Sequence, residues 1–269
     1  MAPAAGMDLA GRRTLVTGAT GGLGGAIARA LAARGASLVL SGRRMDVLEP
    51  LARETGAEIL AADLADRAAV SRLIDQCGAV DVLVANAALP ASGRLEEYSE
   101  EQIDRALDVN LRAPVLLAQR LSEGMVSRGS GQLVFVSSLA GKIATSGSAL
   151  YSATKFGLRG FAMGLRQDLR DSGVGVSCIF PGPIEDAGMF ADTGVSLPRF
   201  AGRRRPDDVA DAVVQAIERN SAEVDVAPLP MRVGAAVAGV APGVVTRLQQ
   251  RLGADEIAAR VGRAQRVKR

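Results

Sequence analysis

The feature that most constrains this fold is a regular alternation of short apolar runs and helical segments over residues 13–64. The β-rich runs are TLVTG, SLVLS and EILAADL, and the helical segments between them are GLGGAIARALAARG and DVLEPLARETG. Each helical segment ends on a glycine, the usual C-terminal cap of a helix. Strands separated by helices of this length pair in parallel, because a parallel connection needs a long crossover.

The alternation continues through most of the chain. We predict further helices over 66–77, 99–127, 150–172 and 206–220, and further strands in VDVLVANAA, GQLVFVSS, GVSCIF and EVDVAP. Residues 183–205 lack a clear period, which indicates a loop or lid beside the strand ends. The expected fold class is α/β, a Rossmann-type doubly wound parallel sheet of about seven strands with helices on both faces, in a domain spanning residues 1–227.

The chain changes character at Pro228. An apolar run over residues 233–245 is broken by Pro242 and is too short to span a bilayer, and residues 246–269 carry seven basic side chains against two acidic ones. We therefore expect a basic and apolar helical extension over residues 228–269. It could lie on a membrane surface or pack on the body of the protein or on a partner subunit, and we favour packing.

Composition excludes several functions. The net charge of +3 comes from the C-terminal segment, so the body is near neutral and has no nucleic-acid footprint. The chain contains no histidine, which excludes a His-based triad and the commonest transition-metal ligand, and we expect no metal. The N-terminus lacks a signal peptide's apolar segment, and Cys77 and Cys178 are expected to be buried apolar side chains in a reducing cytoplasm.

A glycine-rich turn follows the first predicted strand and opens the first predicted helix. Glycines keep such a turn tight and let the backbone approach a pyrophosphate, while the helix N-terminus supplies free N–H groups and a favourable dipole. At the first turn of an alternating chain, this pattern predicts a dinucleotide site. The contact residues expected there are Gly18, Thr20, Gly21, Gly22, Leu23 and Gly24.

The end of the second strand indicates which dinucleotide binds. It reads Ser41-Gly42-Arg43-Arg44, without the carboxylate that binds the ribose 2′-hydroxyl of NAD. Guanidinium groups pair well with phosphate oxygens, so this turn favours the 2′-phosphate of NADP(H) over NAD(H). The alternative is a solvated pair of arginines at a helix start.

Three polar groups are predicted to converge farther along the chain. Tyr151 and Lys155 are four residues apart and share one face of a helix, and Ser138 ends the run GQLVFVSS. A tyrosine and a lysine at this spacing, without other motifs, are usually only two exposed side chains on a helix. Ser137 is the competing serine, and only one of two adjacent strand residues can face Tyr151.

In combination, these motifs resemble the short-chain dehydrogenase/reductase family, in the subfamily with TGxxxGxG and YxxxK motifs. The resemblance covers about residues 9–226. It implies that Ser138, thirteen residues before Tyr151, is the catalytic serine, and that Ser137 is structural.

The resemblance also implies roles for other positions. Asn110, in the sequence DVN, matches the catalytic asparagine, which would hold a water linking Lys155 to solvent. Family members usually pair through the long helix at 99–127 and the helix carrying the tyrosine, so we expect a homodimer or homotetramer. The cofactor contacts implied by the resemblance are Asp63, Leu64, Asn86, Ala87, Ala88, Tyr151, Lys155, Pro181, Gly182 and Ile184.

Two positions depart from the family pattern. Ala88 replaces a glycine of the motif NNAG, and it would be strained if the position needs a positive φ. Asp186 stands where a threonine commonly bonds the nicotinamide carboxamide. An aspartate can accept the same hydrogen bond, and its charge could favour the oxidised ring.

We expect an enzyme that reduces a ketone or aldehyde with NADPH, or runs the reverse reaction. Tyr151 would move the proton, with Lys155 lowering its pKa from about 10, and Ser138 would orient the substrate oxygen. A hydrophobic substrate follows from the apolar pocket residues Leu139, Ile143, Ala144, Met189 and Phe190. The alternative is a catalytically idle NADP-binding sensor or partner-docking protein.

Overall fold

The structure is a computed structural model that describes residues 5–186, 188–194, 202, 204–251 and 254–266. Within them, the strands pair in parallel in the order β3-β2-β1-β4-β5-β6-β7. The predicted doubly wound parallel sheet is confirmed. The strands are β1 (Arg13–Thr17), β2 (Ser37–Ser41), β3 (Glu58–Ile59), β4 (Val82–Ala85), β5 (Gly131–Val136), β6 (Val174–Pro181) and β7 (Glu223–Val226).

Helices cover both faces of the sheet, because adjacent strand residues are apolar and point to opposite sides. Leu15 and Val16 are both fully buried, yet they belong to different core clusters. The helices of the body are α1 (Gly22–Ala33), α2 (Met45–Thr55), α3 (Arg67–Gln76), α4 (Glu100–Leu107), α5 (Ala113–Arg128), α6 (Ala149–Asp168) and α7 (Pro206–Arg219). One of the two clusters joins the sheet to α3, α5 and α6, and the other joins it to α1, α2 and α7.

Two predicted elements differ from the structure. The third strand is only Glu58–Ile59 rather than the whole run EILAADL. The single helix predicted over residues 99–127 is interrupted by a π-helical turn, Asp108–Arg112, between α4 and α5. Such turns are frequent at functional sites, and this one turns the buried Asn110 towards the backbone of Leu89.

The C-terminal extension forms α8 (Leu229–Val240), α9 (Pro242–Arg251) and α10 (Ala254–Gln265). The break before Pro242 agrees with the sequence prediction, since proline lacks an N–H and fits the first turn of a helix. In the described part of the chain, no helix has the length and apolarity needed to cross a membrane. Helix α10 returns to the body and contacts the short 3₁₀ turn Ala191–Thr193.

The segment predicted as a loop or lid, residues 183–205, is described only in part. Positions 187, 195–201 and 203 lie outside the described residues, as do Lys268 and Arg269 of the basic C-terminal segment. Its described part holds the 3₁₀ turn and a bridge between Ile184 and Arg204.

The sheet order brings the candidate groups together. Strands β1 and β4 are neighbours, and the crossovers that follow them run to opposite sides of the sheet, so the carboxyl ends of the strands open a crevice there. The glycine turn follows β1, Asn86 follows β4, Ser138 follows β5 and Gly182 follows β6.

Candidate active site

A cavity of about 470 Å³ lies at the carboxyl ends of β1, β2 and β4. It contains every cofactor contact that the sequence predicted for the first half of the chain. These residues are Gly18, Thr20, Gly21, Gly22, Leu23, Gly24, Ser41, Arg43, Arg44, Asp63, Leu64, Asn86, Ala87 and Ala88.

The glycine turn that forms one wall of this cavity cannot carry side chains at two positions. Gly18 has φ +67°, and a Cβ there would lie 2.6 Å from the Cα of Ala87. A Cβ on Gly24 would lie 2.1 Å from the carbonyl oxygen of Gly18. Helix α1 begins next to this turn, and no side chain caps its N-terminus. Bare backbone and uncapped N–H groups fit the pyrophosphate of a dinucleotide, and we name this first cavity the dinucleotide cavity.

The adenine end of the cavity is rich in guanidinium groups. Arg105 Nη2 lies 3.1 Å from Asp63 Oδ2, and Arg43 Nη1 lies 3.8 Å from the same oxygen. Desolvation opposes ionisation of Asp63, but the Ala65 N–H and these arginines together lower the pKa of its carboxyl. Arg43 is half exposed, and exposed pairs of this kind contribute little, so its guanidinium is available to an anion.

Ser41 provides a second sign of a ligand at this end. Its side chain is buried, and in the described part of the chain Oγ has no hydrogen-bond partner. Buried hydroxyls are nearly always paired. Arg44 extends over the glycine turn, where Nη2 donates to the Thr20 carbonyl at 2.5 Å. The donors and the orphaned hydroxyl fit a phosphorylated ribose.

Asn86 holds the end of β4 against the glycine turn. Its Nδ2 donates to the carbonyls of Thr17 and Gly18 at 3.1 and 3.2 Å. Among the described non-glycine residues, only Asp186 and Asn220 have a positive φ. Ala88 therefore carries none of the strain considered from the sequence.

A second cavity, of about 310 Å³, adjoins the first at the ends of β5 and β6. Its predicted lining residues are Ser138, Leu139, Ile143, Tyr151, Lys155, Pro181, Gly182, Ile184, Met189 and Phe190. Two expectations fail here. Ala144 and Asp186 are exposed and line neither cavity. Ala144 lies in the irregular segment before α6, and Asp186 has a left-handed backbone with φ +64°.

The two adjacent serines face different surroundings, as strand alternation predicts. Ser138 lines this second cavity, the catalytic cavity of the candidate site. Its Oγ accepts from the Ala140 N–H at 3.1 Å and donates to the Pro181 carbonyl at 3.4 Å. Ser137 is buried, and its hydroxyl donates to the Lys155 carbonyl at 3.1 Å. Ser137 thus ties β5 to α6, while Ser138 remains at the cavity.

Tyr151 and Lys155 lie on one face of α6, near its start. The Lys155 side chain is almost fully buried, and Nζ donates to the Val136 carbonyl at 3.0 Å and lies 5.7 Å from the centre of the Tyr151 ring. Burial raises the pKa of Tyr151 to about 12, which a hydrogen bond with Ser138 opposes. Burial lowers the pKa of Lys155 to about 8.

These pKa values differ from the sequence expectation. We expected Lys155 to lower the pKa of Tyr151, but desolvation dominates. The Lys155 ammonium group donates its hydrogen bond to a backbone carbonyl. In this state, the phenol is fully protonated at neutral pH.

Asn110 lies behind the catalytic cavity and lines neither cavity. Its Oδ1 accepts from the Leu89 N–H at 2.6 Å, and its Nδ2 donates to the Leu89 carbonyl at 3.0 Å. Nδ2 also lies 3.5 Å from the Thr154 hydroxyl, which donates to the Tyr151 carbonyl at 2.8 Å. Asn110 thus connects the loop after β4 to the helix that carries Tyr151.

Sequence reasoning missed the contribution of the C-terminal extension. Val261 and Gln265 of α10 line the catalytic cavity, and Gln265 also lines the dinucleotide cavity. Gly188 lines both cavities as well. No local motif marks these residues, and only the general preference for packing of the extension pointed towards such a contact.

Comparison with known proteins now identifies the family. The sequence model described as short chain dehydrogenase matches residues 12–195. The chain belongs to this family. Ketoacyl reductase HetN from Nostoc sp. is 36% identical over 259 residues, covering 91% of this chain and 90% of that protein. Nodulation protein G from Rhizobium meliloti is 39% identical over 186 residues, covering 67% of this chain and 76% of that protein.

Solved structures agree with the family assignment. A short-chain dehydrogenase from Sphingobium yanoikuyae in complex with NADPH has a TM-score of 0.76 and 27% identity, covering 87% of this chain and 94% of that one. The closed form of serine dehydrogenase complexed with NADP⁺ has a TM-score of 0.72 and 28% identity, covering 81% and 95%. The short-chain dehydrogenase described here is an oxidoreductase that acts on CH–OH or carbonyl groups with a nicotinamide cofactor, as the sequence predicted.

Proposed function

We propose that this short-chain dehydrogenase reduces a hydrophobic ketone or aldehyde to an alcohol with NADPH. The observation that carries the proposal is that Ser138, Tyr151 and Lys155 line a cavity that adjoins the one lined by the glycine turn. When bound, NADPH supplies a hydride to the carbonyl carbon. The chain must then supply a proton to the carbonyl oxygen.

Tyr151 is the proton donor in this proposal. With a pKa of about 12 it is protonated at neutral pH, as an acid for carbonyl reduction must be. The Ser138 hydroxyl holds the substrate oxygen beside the phenol. As the phenol loses its proton, Lys155 stabilises the phenolate and returns a proton to it. Asn110 acts behind Lys155, holding a water that connects it to solvent.

The preference for NADP(H) over NAD(H) is supported by the adenine end of the dinucleotide cavity. Arg43 and Arg44 line it, together with the unpaired hydroxyl of Ser41. Two structurally similar proteins were solved with NADPH or NADP⁺. A guanidinium paired with a phosphate is a strong, charge-assisted contact, so the 2′-phosphate is the group that distinguishes the two cofactors here.

The substrate class is supported by the apolar wall of the catalytic cavity. Leu139, Ile143, Met189 and Phe190 line it around Ser138. The relative HetN is named a ketoacyl reductase. A ketone attached to an acyl chain is therefore the first substrate class to test.

The proposal also covers assembly, organisation and location. Val126 on α5 and Phe156 and Met163 on α6 are large apolar side chains exposed on the helices expected to pair, which supports a homodimer or homotetramer. Light scattering coupled to gel filtration tests the assembly, and a monomer would contradict it.

We place the start of the C-terminal extension at residue 228. We place the enzyme in the cytoplasm, where Cys77 and Cys178, both free and buried, stay reduced.

Calorimetric titration with NADPH and NADH tests the cofactor assignment. The wild type is expected to bind NADPH more tightly, and Arg43→Ala is expected to weaken NADPH binding by about tenfold or more without changing NADH binding. The matched control is Arg72→Ala, because Arg72 is an exposed arginine that lines neither cavity. Equal affinity of the wild type for both cofactors would contradict the preference.

A further inference from the structure

Gln265 occupies the junction of the two cavities and is not part of the machinery described above. It lies at the end of α10 and is only 7% exposed. Its side chain lines both the dinucleotide cavity and the catalytic cavity. Its Nε2 donates to the Met189 carbonyl at 3.2 Å, while Oε1 has no hydrogen-bond partner among the described residues.

The unpaired oxygen is held in a defined position. Rotating the amide by half a turn would place Oε1 against the carbonyl oxygen of Met189, and both atoms are hydrogen-bond acceptors. The Nε2 bond therefore fixes Oε1 as the amide atom without a partner. A buried acceptor without a partner is costly and rare in native proteins. A ligand with a hydrogen-bond donor at the junction would satisfy it.

The packing of α10 shows that Gln265 is part of the site rather than a loose end. A Cβ on Gly262 would lie 3.2 Å from the Cα of Gly93, so the helix backbone approaches the body closely. One turn before Gln265, Val261 lines the catalytic cavity. The extension therefore forms part of the wall that a bound cofactor would meet.

A dinucleotide that spans both cavities has to pass the junction with its nicotinamide end. The hydride-bearing carbon must lie near Tyr151, which puts the ring in the catalytic cavity. The carboxamide on that ring is its N–H donor. Asp186, which the sequence suggested as the acceptor for this group, is exposed and lines neither cavity.

We propose that Oε1 of Gln265 accepts a hydrogen bond from the nicotinamide carboxamide, while Nε2 holds the loop at Met189. The C-terminal extension then supplies a cofactor-binding residue to the active site. This inference rests on the proposed function, since it requires a nicotinamide dinucleotide in the two cavities.

The test compares two ligands that differ in the donor. NADP⁺ carries a carboxamide, whereas 3-acetylpyridine adenine dinucleotide phosphate carries a methyl ketone, which keeps the carbonyl and lacks the N–H groups. Calorimetry gives both dissociation constants without any reaction. The wild type is expected to prefer NADP⁺ by about fivefold or more, the worth of one hydrogen bond.

Substitutions assign that preference to Gln265. Gln265→Met keeps a side chain of similar length without the acceptor, and it is expected to bind the two ligands equally. Gln265→Glu keeps the acceptor but loses the bond to Met189, so weaker binding of both ligands with the wild-type ratio is expected. The matched control is Gln76→Met at the exposed end of α3, where the wild-type constants should be unchanged.

Each outcome is decisive. A wild-type ratio near one, or an unchanged preference in Gln265→Met, overturns the carboxamide contact while leaving the proposed function intact. If Gln265→Met binds neither ligand, the ratio in Gln265→Glu decides, and a ratio near one overturns the contact. Failure of the wild type to bind NADP⁺ at all would instead refute the proposed function, and this inference with it.

Discussion

The dinucleotide cavity and the catalytic cavity adjoin each other, but they are built in different ways. The first has a wall of bare backbone at the glycine turn, formed by one strand, one turn and one helix that follow each other directly. The second is formed by side chains from distant segments, among them Ser138 after β5, Tyr151 on α6 and Gln265 on α10. The shape of the glycine turn depends on local backbone conformation, whereas the arrangement of the side chains in the catalytic cavity depends on the whole fold.

This difference predicts how the two cavities respond to substitution. Changes at Ser138 and Tyr151, which line only the catalytic cavity, should affect the chemical step and leave cofactor binding almost unchanged, whereas changes at Gln265, which lines both cavities, should affect binding. Changes in the glycine turn should affect binding through the backbone. Substitutions in each cavity test this separation.

Tyr151→Phe removes the proton donor and should have the largest effect. We expect kcat to fall by about 10²–10⁴-fold. The dissociation constant of NADPH should stay within about twofold of wild type, because the glycine turn of the dinucleotide cavity is untouched. Steady-state kinetics with a ketoacyl substrate and calorimetry measure the two quantities. The control is Tyr98→Phe, which changes the other tyrosine of the chain and should keep wild-type kcat.

A cellular role that survives in Tyr151→Phe would favour the idle sensor over the enzyme. A large loss of NADPH binding in the same variant would break the separation between the cavities.

The adjacent serines provide a paired test within the catalytic cavity. Ser138→Ala removes the hydroxyl that holds the substrate oxygen, and kcat should fall by about 10–100-fold with little change in stability. Ser137→Ala removes the buried bond to the Lys155 carbonyl, so it should lower the free energy of unfolding by about 1 kcal/mol. Urea denaturation and kinetics distinguish the two, and equal losses of kcat would contradict the assignment.

Gly24→Ala tests whether the glycine turn of the dinucleotide cavity binds the cofactor. The added methyl would lie 2.1 Å from the Gly18 carbonyl oxygen, so the turn must shift, and NADPH binding should weaken by about tenfold or more. The control is Gly56→Ala, at φ +67° with open space around the Cβ position. It should lose about 1–2 kcal/mol of stability and keep the wild-type affinity. Wild-type affinity in Gly24→Ala would show that the turn does not contact the cofactor.

The smallest expected effect is a shift in the pKa of the Tyr151 phenol. In Tyr98→Phe, Tyr151 is the remaining tyrosine, and its pKa of about 12 predicts little phenolate in the absorbance at 295 nm at pH 10.5. An unperturbed tyrosine, with a pKa of about 10, would be mostly ionised there. Since burial raises the pKa above its unfolded value, the stability from neutral Tyr151 is lost as pH rises from about 10 towards about 12. A midpoint near 10 would contradict the desolvation.

Most of the fold was predictable because hydrophobic periodicity and glycine caps are local signals. The parallel pairing and the two covered faces followed from the alternation of elements. The π-helical turn at Asp108–Arg112 was not predictable, because it depends on Asn110 reaching the backbone of Leu89 across the fold. Strand β3 is shorter than its apolar run, although the N–H groups of Leu60 and Ala62 still donate to the carbonyls of Leu40 and Gly42.

The site was predictable where a motif marks it. The glycine turn and Ser138 lie where the sequence indicated, although their roles remain predictions. The pKa of Tyr151 without a bound cofactor lies above its ordinary value, because burial cannot be read from the spacing to Lys155. Ala144 and Asp186 were misplaced because side-chain direction in an irregular loop depends on φ. Gln265 lies at the end of α10, the third helix of the C-terminal extension, and no sequence motif marks it as a site residue.

Carbonyl reduction by this enzyme is tested most simply by deuteride transfer from NADPH, labelled at the transferable position of C4, to a ketoacyl substrate. Mass spectrometry of the alcohol measures the label in the wild type and in Tyr151→Phe. We expect one deuterium in the wild-type product and almost no product from Tyr151→Phe. Equal labelled product from both proteins, or no transfer by the wild type to any carbonyl in a broad panel, would contradict it.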